Sequence, residues 1–290
     1  MTSQRGYHGF AFGIVDEFNR PIEAASITSV TVLTVNTRNT AATLYKDDAG
    51  TGSFTNPQVS FLDSSSVKFF GSAIAYDVIV TLSNGVCVRQ NGVTSTDSVV
   101  VRRAYLTIDG APTINAAATG TITQYVYPQD DGSLLIDLNL AGVVVDMGLT
   151  ATNAAAFGGT LLTTFASCEA NVIGVGGKVS FGIADAQSQY ANDATPEGTL
   201  AFGTGIKDDA ADCGAADATD DDLLETEDFV MAAYIDAAIP LEAAEGLTVD
   251  GTPAINVNAS IDASELADTT GPNAKITGWA RFRASFTNAS

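Results

Sequence analysis

Short runs of alternating polar and apolar residues, cut at close intervals by Gly, Asn, Asp and Ser, set the limits on what this chain can become. "SITSVTVLTV" (26–35) places Ile, Val and Leu between Ser and Thr. That is the period-two pattern of a strand with one buried face. "VKFFGSAIAYDVIVTL" (67–82) is aromatic and β-branched around a Gly-Ser break, and "SNG" (83–85) is a hairpin turn signal. "VCVRQ" (86–90) and "SVVVRRAYLTI" (98–108) follow as further strands. Turn signals recur roughly every 8–12 residues, the spacing of β-sandwiches and barrels.

The rhythm resumes beyond residue 120. "TITQYVY" (121–127), "SLLIDLNLAGVVVDMGL" (133–149), "LLTTFASCEANVIGVGGKVSFGIA" (161–184) and "TLAFG" (199–203) read as strands, and "AKITGWARFRASF" (274–286) reads as a final strand pair with Ile276, Trp279, Phe282 and Phe286 on its buried face. "DGAPTINAAATG" (109–120), small, polar and broken by Pro112, reads as a junction. Two stretches carry helical features. "LETEDFVMAAYIDAAI" (224–239) opens on acids suited to a helix N-terminus, and "TATNAAAFGG" (150–159) has room for one turn. The expected architecture is all-β: two β-sandwich, jelly-roll-like domains with at most one or two short helices. Residues 1–110 form the first, 111–120 the linker and 121–290 the second.

Charge divides the same way. The chain carries a net charge of −21. Residues 1–129 hold 8 basic and 9 acidic side chains, and residues 130–290 hold 5 and 25. A chain so acidic does not seek nucleic acid, which needs clustered Lys and Arg. The near-neutral half suits docking on another protein. The acidic half suits water, where net charge keeps particles soluble and apart.

Cys87, Cys168 and Cys213 form no CxxC pair and read as unpaired thiols. The opening "MTSQRGYHGFAFG" has no apolar core of signal-peptide length, and no run approaches the roughly 18 apolar residues of a membrane helix. Folding in a cytoplasm, with no membrane partner, is expected.

Residues suited to chemistry are sparse. His8 is the one histidine, so a His-ligated zinc or a Ser-His-Asp triad is not expected, and His8 reads as a plain terminal residue. "VGGK" (175–178) and "FGTG" (202–205) complete no phosphate-binding motif and read as turns. "KDDAADCGAADATDDDLLETED" (207–228) packs ten acids beside one lysine. A calcium-loop register starting at Asp217 puts Asp221 fifth and Asp228 twelfth. Its sixth position is Asp222 where the sharp turn needs Gly, and the last residue is not Glu. Asp217, Asp221 and Asp228 are therefore a weak calcium candidate within a solvated acidic loop. No pair of carboxylates stands out for glycoside hydrolysis. No catalytic residue and no cofactor is expected.

"TLYKDDAGTGSFTNPQVSF" (43–61) raises the question of metal, phosphate or turn. No Gly-Lys loop leads into a helix, and Asp47 and Asp48 have no third acid before Asp63. It reads as a β-connection, in which Gly50 takes positive φ and Pro57 holds Asn56 extended.

This stretch, followed by "VKFFGSAIAYDVIVTLSNG", resembles a module of tailed-phage structural proteins. The matching elements are Leu44-Tyr45, Asp47-Asp48, Gly50-Thr51, Asn56-Pro57, Phe69-Phe70 and Tyr76-Asp77-Val78; "DSSS" (63–66) replaces the usual acidic or glycine turn. In the second half, "SLLIDLNLAGVVVDMGLTATNAAAFGGTLLTTF", "VIGVGGKVSFG", "GTLAFGTG", "LLETEDFV" and "ITGWARF" resemble a domain of head-decoration or cement proteins of marine phages. The resemblance implies a non-enzymatic virion protein on the head surface, assembled in the host cytoplasm. Its partners would be the major capsid protein and copies of itself, as a homotrimer. The alternative is a tail, neck or fibre component binding a host glycan on an aromatic shelf built from Tyr190, Phe229 or Tyr234.

Overall fold

A computed structural model describes residues 5–16, 18–22, 26–59, 66–102, 112–149, 155–165, 170–183, 197–207, 219, 221–225, 229–230, 237–243, 254–262 and 273–286. Among them every regular element is a strand. The chain divides into two compact units, Met1–Ala111 with Val126–Pro128, and Pro112–Tyr125 with Gln129–Ser290.

The first unit holds β1 (Gly6–Val15), β2 (Pro21–Ile22), β3 (Ile27–Thr34), β4 (Leu44–Tyr45), β5 (Ser53–Phe54), β6 (Ser66–Gly71), β7 (Tyr76–Leu82), β8 (Cys87–Val93) and β9 (Ser98–Arg102). One sheet runs β2-β1-β6-β4-β5, with β9 added parallel to β1. The other runs β3-β7-β8. The alternation read from sequence explains the core: Phe12, Ile14, Val67, Phe69 and Val99 from the first sheet pack with Val30, Val32, Val78 and Val80 from the second. Each such side chain contributes roughly 1.5–3 kcal/mol on burial. Buried Asp77 is held by Arg89 at 2.9 Å and by the Gly92 N–H at 2.9 Å. Arg89 also donates to the carbonyls of Thr37 and Arg38, tying the end of β3 to β8.

The second unit holds β10 (Thr113–Ile114), β11 (Thr121–Pro128, whose last three residues cluster with the first unit), β12 (Leu134–Asp146), β13 (Gly148–Leu149), β14 (Ala155–Thr164), β15 (Ala170–Ile183), β16 (Glu197–Gly203), β17 (Leu224–Glu225), β18 (Phe229–Val230), β19 (Ala237–Ala243), β20 (Ala254–Asp262) and β21 (Asn273–Phe286). Its strands follow one hydrogen-bonded path, which the β17–β19 pair joins between two halves, β11-β12-β21-β15-β19 and β17-β16-β20-β14-β10. Successive long strands alternate between the two, apart from the step from β16 to β17. That order, 12-21-15-19 facing 14-20-16-17, is the jelly roll. The inward row of β21, Ile276, Ala280, Phe282 and Ala284, is buried. Phe282 meets Phe202 of β16 from the opposite half, ring centroids 5.9 Å apart. Gly174 of β15 permits a close approach there, since a Cβ would lie 1.7 Å from the Leu223 carbonyl oxygen.

Several expectations need correction: "VGGK" (175–178), read as a turn, lies inside β15. The stretch 224–239 is not helical where described: residues 224–225, 229–230 and 237–239 lie in β17, β18 and β19, and 231–236 fall outside the described residues. Residues 155–159 likewise open β14, while 150–154 are outside. In both places a long partner strand stands alongside, β16 for the first and β20 for the second. Cross-strand pairing outweighs weak local helix preference. Residues 112–120 are also integrated into the second unit. Thr113 and Ile114 pair with Thr164 and Thr163, and the Thr119 carbonyl accepts from the Val144 N–H at 3.0 Å.

Candidate docking face and buried polar positions

β1 alternates Tyr7, His8, Gly9 and Phe10, so neighbouring residues point to opposite sides. Tyr7 faces outward and is 56% exposed. Register puts Tyr7 beside Phe70 of β6, and Phe70 beside Tyr45 of β4. Three aromatic residues thus stand in one row across three strands. Tyr7 and Phe70 meet edge to face at 5.4 Å. The Arg5 guanidinium lies over the Tyr45 ring at 4.1 Å, an attraction of roughly 0.5–1 kcal/mol at an exposed site. Lys68 is exposed on the same side and pairs in register with Gly9, over which the Tyr7 ring and the Lys68 stem lie.

The loop of residues 46–52 frames this row. Asp47 accepts from the Thr51 N–H at 2.9 Å and from the Thr51 hydroxyl. Those bonds, the hydroxyl's first, hold the Asp47 carboxyl below its usual range. Gly50 takes φ 74° inside the turn, and Arg5 donates to the Asp48 carbonyl at 3.3 Å. The Asn56–Pro57 peptide bond is cis. Asn56 reaches into the sheet edge: its Oδ1 accepts from the Val32 N–H at 3.1 Å, and its Nδ2 donates to the carbonyls of Val32 at 2.7 Å and Ala42 at 2.8 Å.

His8 departs from its reading as a plain terminal residue. It is 6% exposed, stacked on Phe69 at 5.3 Å and edge-on to Tyr76 at 5.0 Å. Neither ring nitrogen has a hydrogen-bond partner among the described residues. Burial lowers its pKa; the nearby Ala73 backbone opposes this without reaching hydrogen-bonding geometry. Its position between aromatic strands could have been read from the alternation of β1 against "VKFF".

Of the weak calcium candidates, Asp221 is described, while Asp217 and Asp228 lie outside the described residues. Asp222, beside Asp221, is buried and takes the Thr204 N–H at 2.7 Å and the Thr204 hydroxyl at 2.6 Å. Asn256 and Asn258 donate to the carbonyls of Thr204 and Gly205, so the start of the acidic loop is laced onto β20. No group of three or more His, Cys, Asp or Glu stands together as metal ligands among the described residues. Cys87 is buried with a free thiol whose pKa is raised by desolvation, whereas Cys168 and Cys213 lie outside. Tyr190 and Tyr234 also lie outside, and Phe229 is in β18. No helix among the described residues is long and apolar enough to cross a membrane.

No protein-family model matches the chain, and no curated protein does. Among solved structures, an arabinose-bound α-L-arabinofuranosidase aligns over 62% of this chain at 9% identity and a TM-score of 0.21. The aligned part is 24% of that enzyme's chain, so this protein spans about a quarter of its length. A structure of infectious bursal disease virus aligns over 98% of this chain and 66% of its own at 11% identity and a TM-score of 0.11. Neither similarity carries an argument about fold or function.

Proposed function

We propose that this is a non-enzymatic structural protein of a tailed-phage particle, a decoration or cement protein that binds and stabilises the head shell. The observation carrying the reading is the outward-facing row of exposed Tyr7 and half-buried Phe70 and Tyr45 on the near-neutral first unit. Aromatic side chains flanked by an arginine have the composition of interface hot spots. The partner is the major capsid protein. A homotrimer of the chain repeats the contact at a symmetry axis, so modest single contacts sum to firm attachment. The acidic second unit then faces solvent, where like charge keeps particles apart. Jelly rolls serve viral shells among other uses, which supports the reading by analogy only.

The test is particles assembled with and without this protein. Loss of heat or osmotic resistance without it, and hundreds of copies per particle with it, are expected. Unchanged resistance overturns the cement role. A copy number of about three to eighteen, set by tail symmetry, moves the protein to a tail, neck or fibre.

A further inference from the structure

Residues 130–290 contain five basic side chains, Lys178, Lys207, Lys275, Arg281 and Arg283. Four of the five stand on one face of one sheet. β21 sets the pattern, because its even-numbered residues Ile276, Ala280, Phe282 and Ala284 are buried. Lys275, Thr277, Trp279, Arg281 and Arg283 therefore project from the solvent side. Trp279 is the one tryptophan of the chain. Its register partners are Lys178 on β15 and Asn139 on β12. The ring thus lies between an ammonium and an amide across the sheet, and between a hydroxyl and a guanidinium along its own strand.

The arginines are held in place. Arg281 makes a two-pronged pair with Asp137, 2.5 Å from Nε to Oδ1 and 2.8 Å from Nη2 to Oδ2. Arg283 donates to the Ser133 hydroxyl at 2.9 Å and to Asp131. Lys178 and Lys275 are exposed and make no ion pair among the described residues. Ile173 and Val175, 43% and 48% exposed, extend the face beside Arg283 and Arg281. Ion pairing with Asp137 and Asp131 accounts for the two arginines, but not for the two exposed lysines set beside the chain's one tryptophan.

We propose that this face binds an acidic polysaccharide. A sugar ring stacks on Trp279, and carboxylate or sulfate groups meet Lys178 and Lys275. The shape selects a polymer: Lys275 to Arg283 spans eight residues of strand, about 27 Å, with no cavity needed. The topology disfavours a peptide. β21 is paired on both sides, so no free edge is offered for an added strand. The proposal does not depend on where the protein sits in a particle.

Trp279 supplies its own readout, since all tryptophan emission comes from this face. The intact chain is titrated with polygalacturonate, dextran sulfate and neutral dextran. A saturable change in emission with either acidic polymer, absent with neutral dextran, is expected. The Lys178→Ala/Lys275→Ala double variant should weaken binding by about tenfold and reduce its salt dependence. Trp279→Phe, followed by calorimetry, should weaken it too. An unchanged emission with both acidic polymers overturns the proposal. So does a response of equal strength to polyglutamate or to a DNA oligonucleotide, which would mark a generic polyanion contact. Far-ultraviolet circular dichroism identical to that of the parent chain qualifies each variant as folded.

Discussion

Asn56 does for Val32 what a neighbouring strand would do: one side-chain amide accepts from the Val32 N–H and donates to its carbonyl. The same amide also reaches the Ala42 carbonyl, so three backbone groups depend on one residue. Asn56→Ala leaves them without partners at the sheet edge. The expected loss is about 2–4 kcal/mol. It should appear as a lower urea midpoint for the first unit, followed by circular dichroism, with Trp279 emission reporting the second unit separately. A loss below about 0.5 kcal/mol would remove Asn56 from this role.

Asp137 is 1% exposed and Arg281 holds it from the adjacent strand. Asp137→Ala leaves the guanidinium half-buried without its carboxylate. About 3 kcal/mol of destabilisation is expected. The double change Asp137→Leu/Arg281→Leu should recover much of that loss, because it removes the unpaired charge as well as the pair. Denaturation of the two variants beside the parent chain, followed by Trp279 emission, checks both statements.

His8 gives the first unit a pH response. The folded state lowers its pKa from the ordinary 6.5. Above that value both states carry a neutral ring, and the contribution is constant. As pH falls below it, the unfolded chain takes up a proton that the folded chain resists, so stability drops until the folded pKa is passed. His8→Phe should flatten the stability difference between about pH 7.5 and 5.5, a window bracketing the unperturbed value. An equal slope in variant and parent would show that carboxylates alone set the response.

The docking face predicts a separation of stability from attachment. Tyr7→Ser with Tyr45→Ser trims two members of the row and spares the core side chains Phe12, Phe69 and Leu44. Each hot-spot aromatic is worth about 1–2 kcal/mol of binding, so losing two should weaken affinity for particles about thirtyfold or more. Co-sedimentation of the variant with particles lacking the native protein measures it. Full occupancy would move the interface elsewhere.

The strand-by-strand character of the fold was legible because alternation and turn residues are local signals. "SITSVTVLTV" became β3 nearly as read, whereas "AKITGWARFRASF", expected as a strand pair burying Trp279, is the single strand β21 with Trp279 opposite its buried row. The helical reading of 224–239 failed because acids and alanines near a helix start carry little energy against a waiting strand edge such as β16. Asp47 in a turn was legible from Asp-Asp-Ala-Gly. Asn56 as a surrogate strand was not, because its partners Val32 and Ala42 lie 24 and 14 residues away. The row of Tyr7, Phe70 and Tyr45 and the face around Trp279 were hidden for the same reason. Register between distant strands assembles them, and no short turn joins those strands to fix their register locally.

The place of β21 has a consequence for synthesis. Asp137 and Arg281, partners across two paired strands, are 144 residues apart. During translation β12 and β15 emerge long before the strand that fills the gap between them. Until it arrives, both present open backbone edges able to pair with another nascent chain. The β12-β21-β15 pairing therefore forms only once the last strand has emerged. A premature stop codon upstream of residue 273 would leave a chain prone to aggregate rather than a smaller working domain.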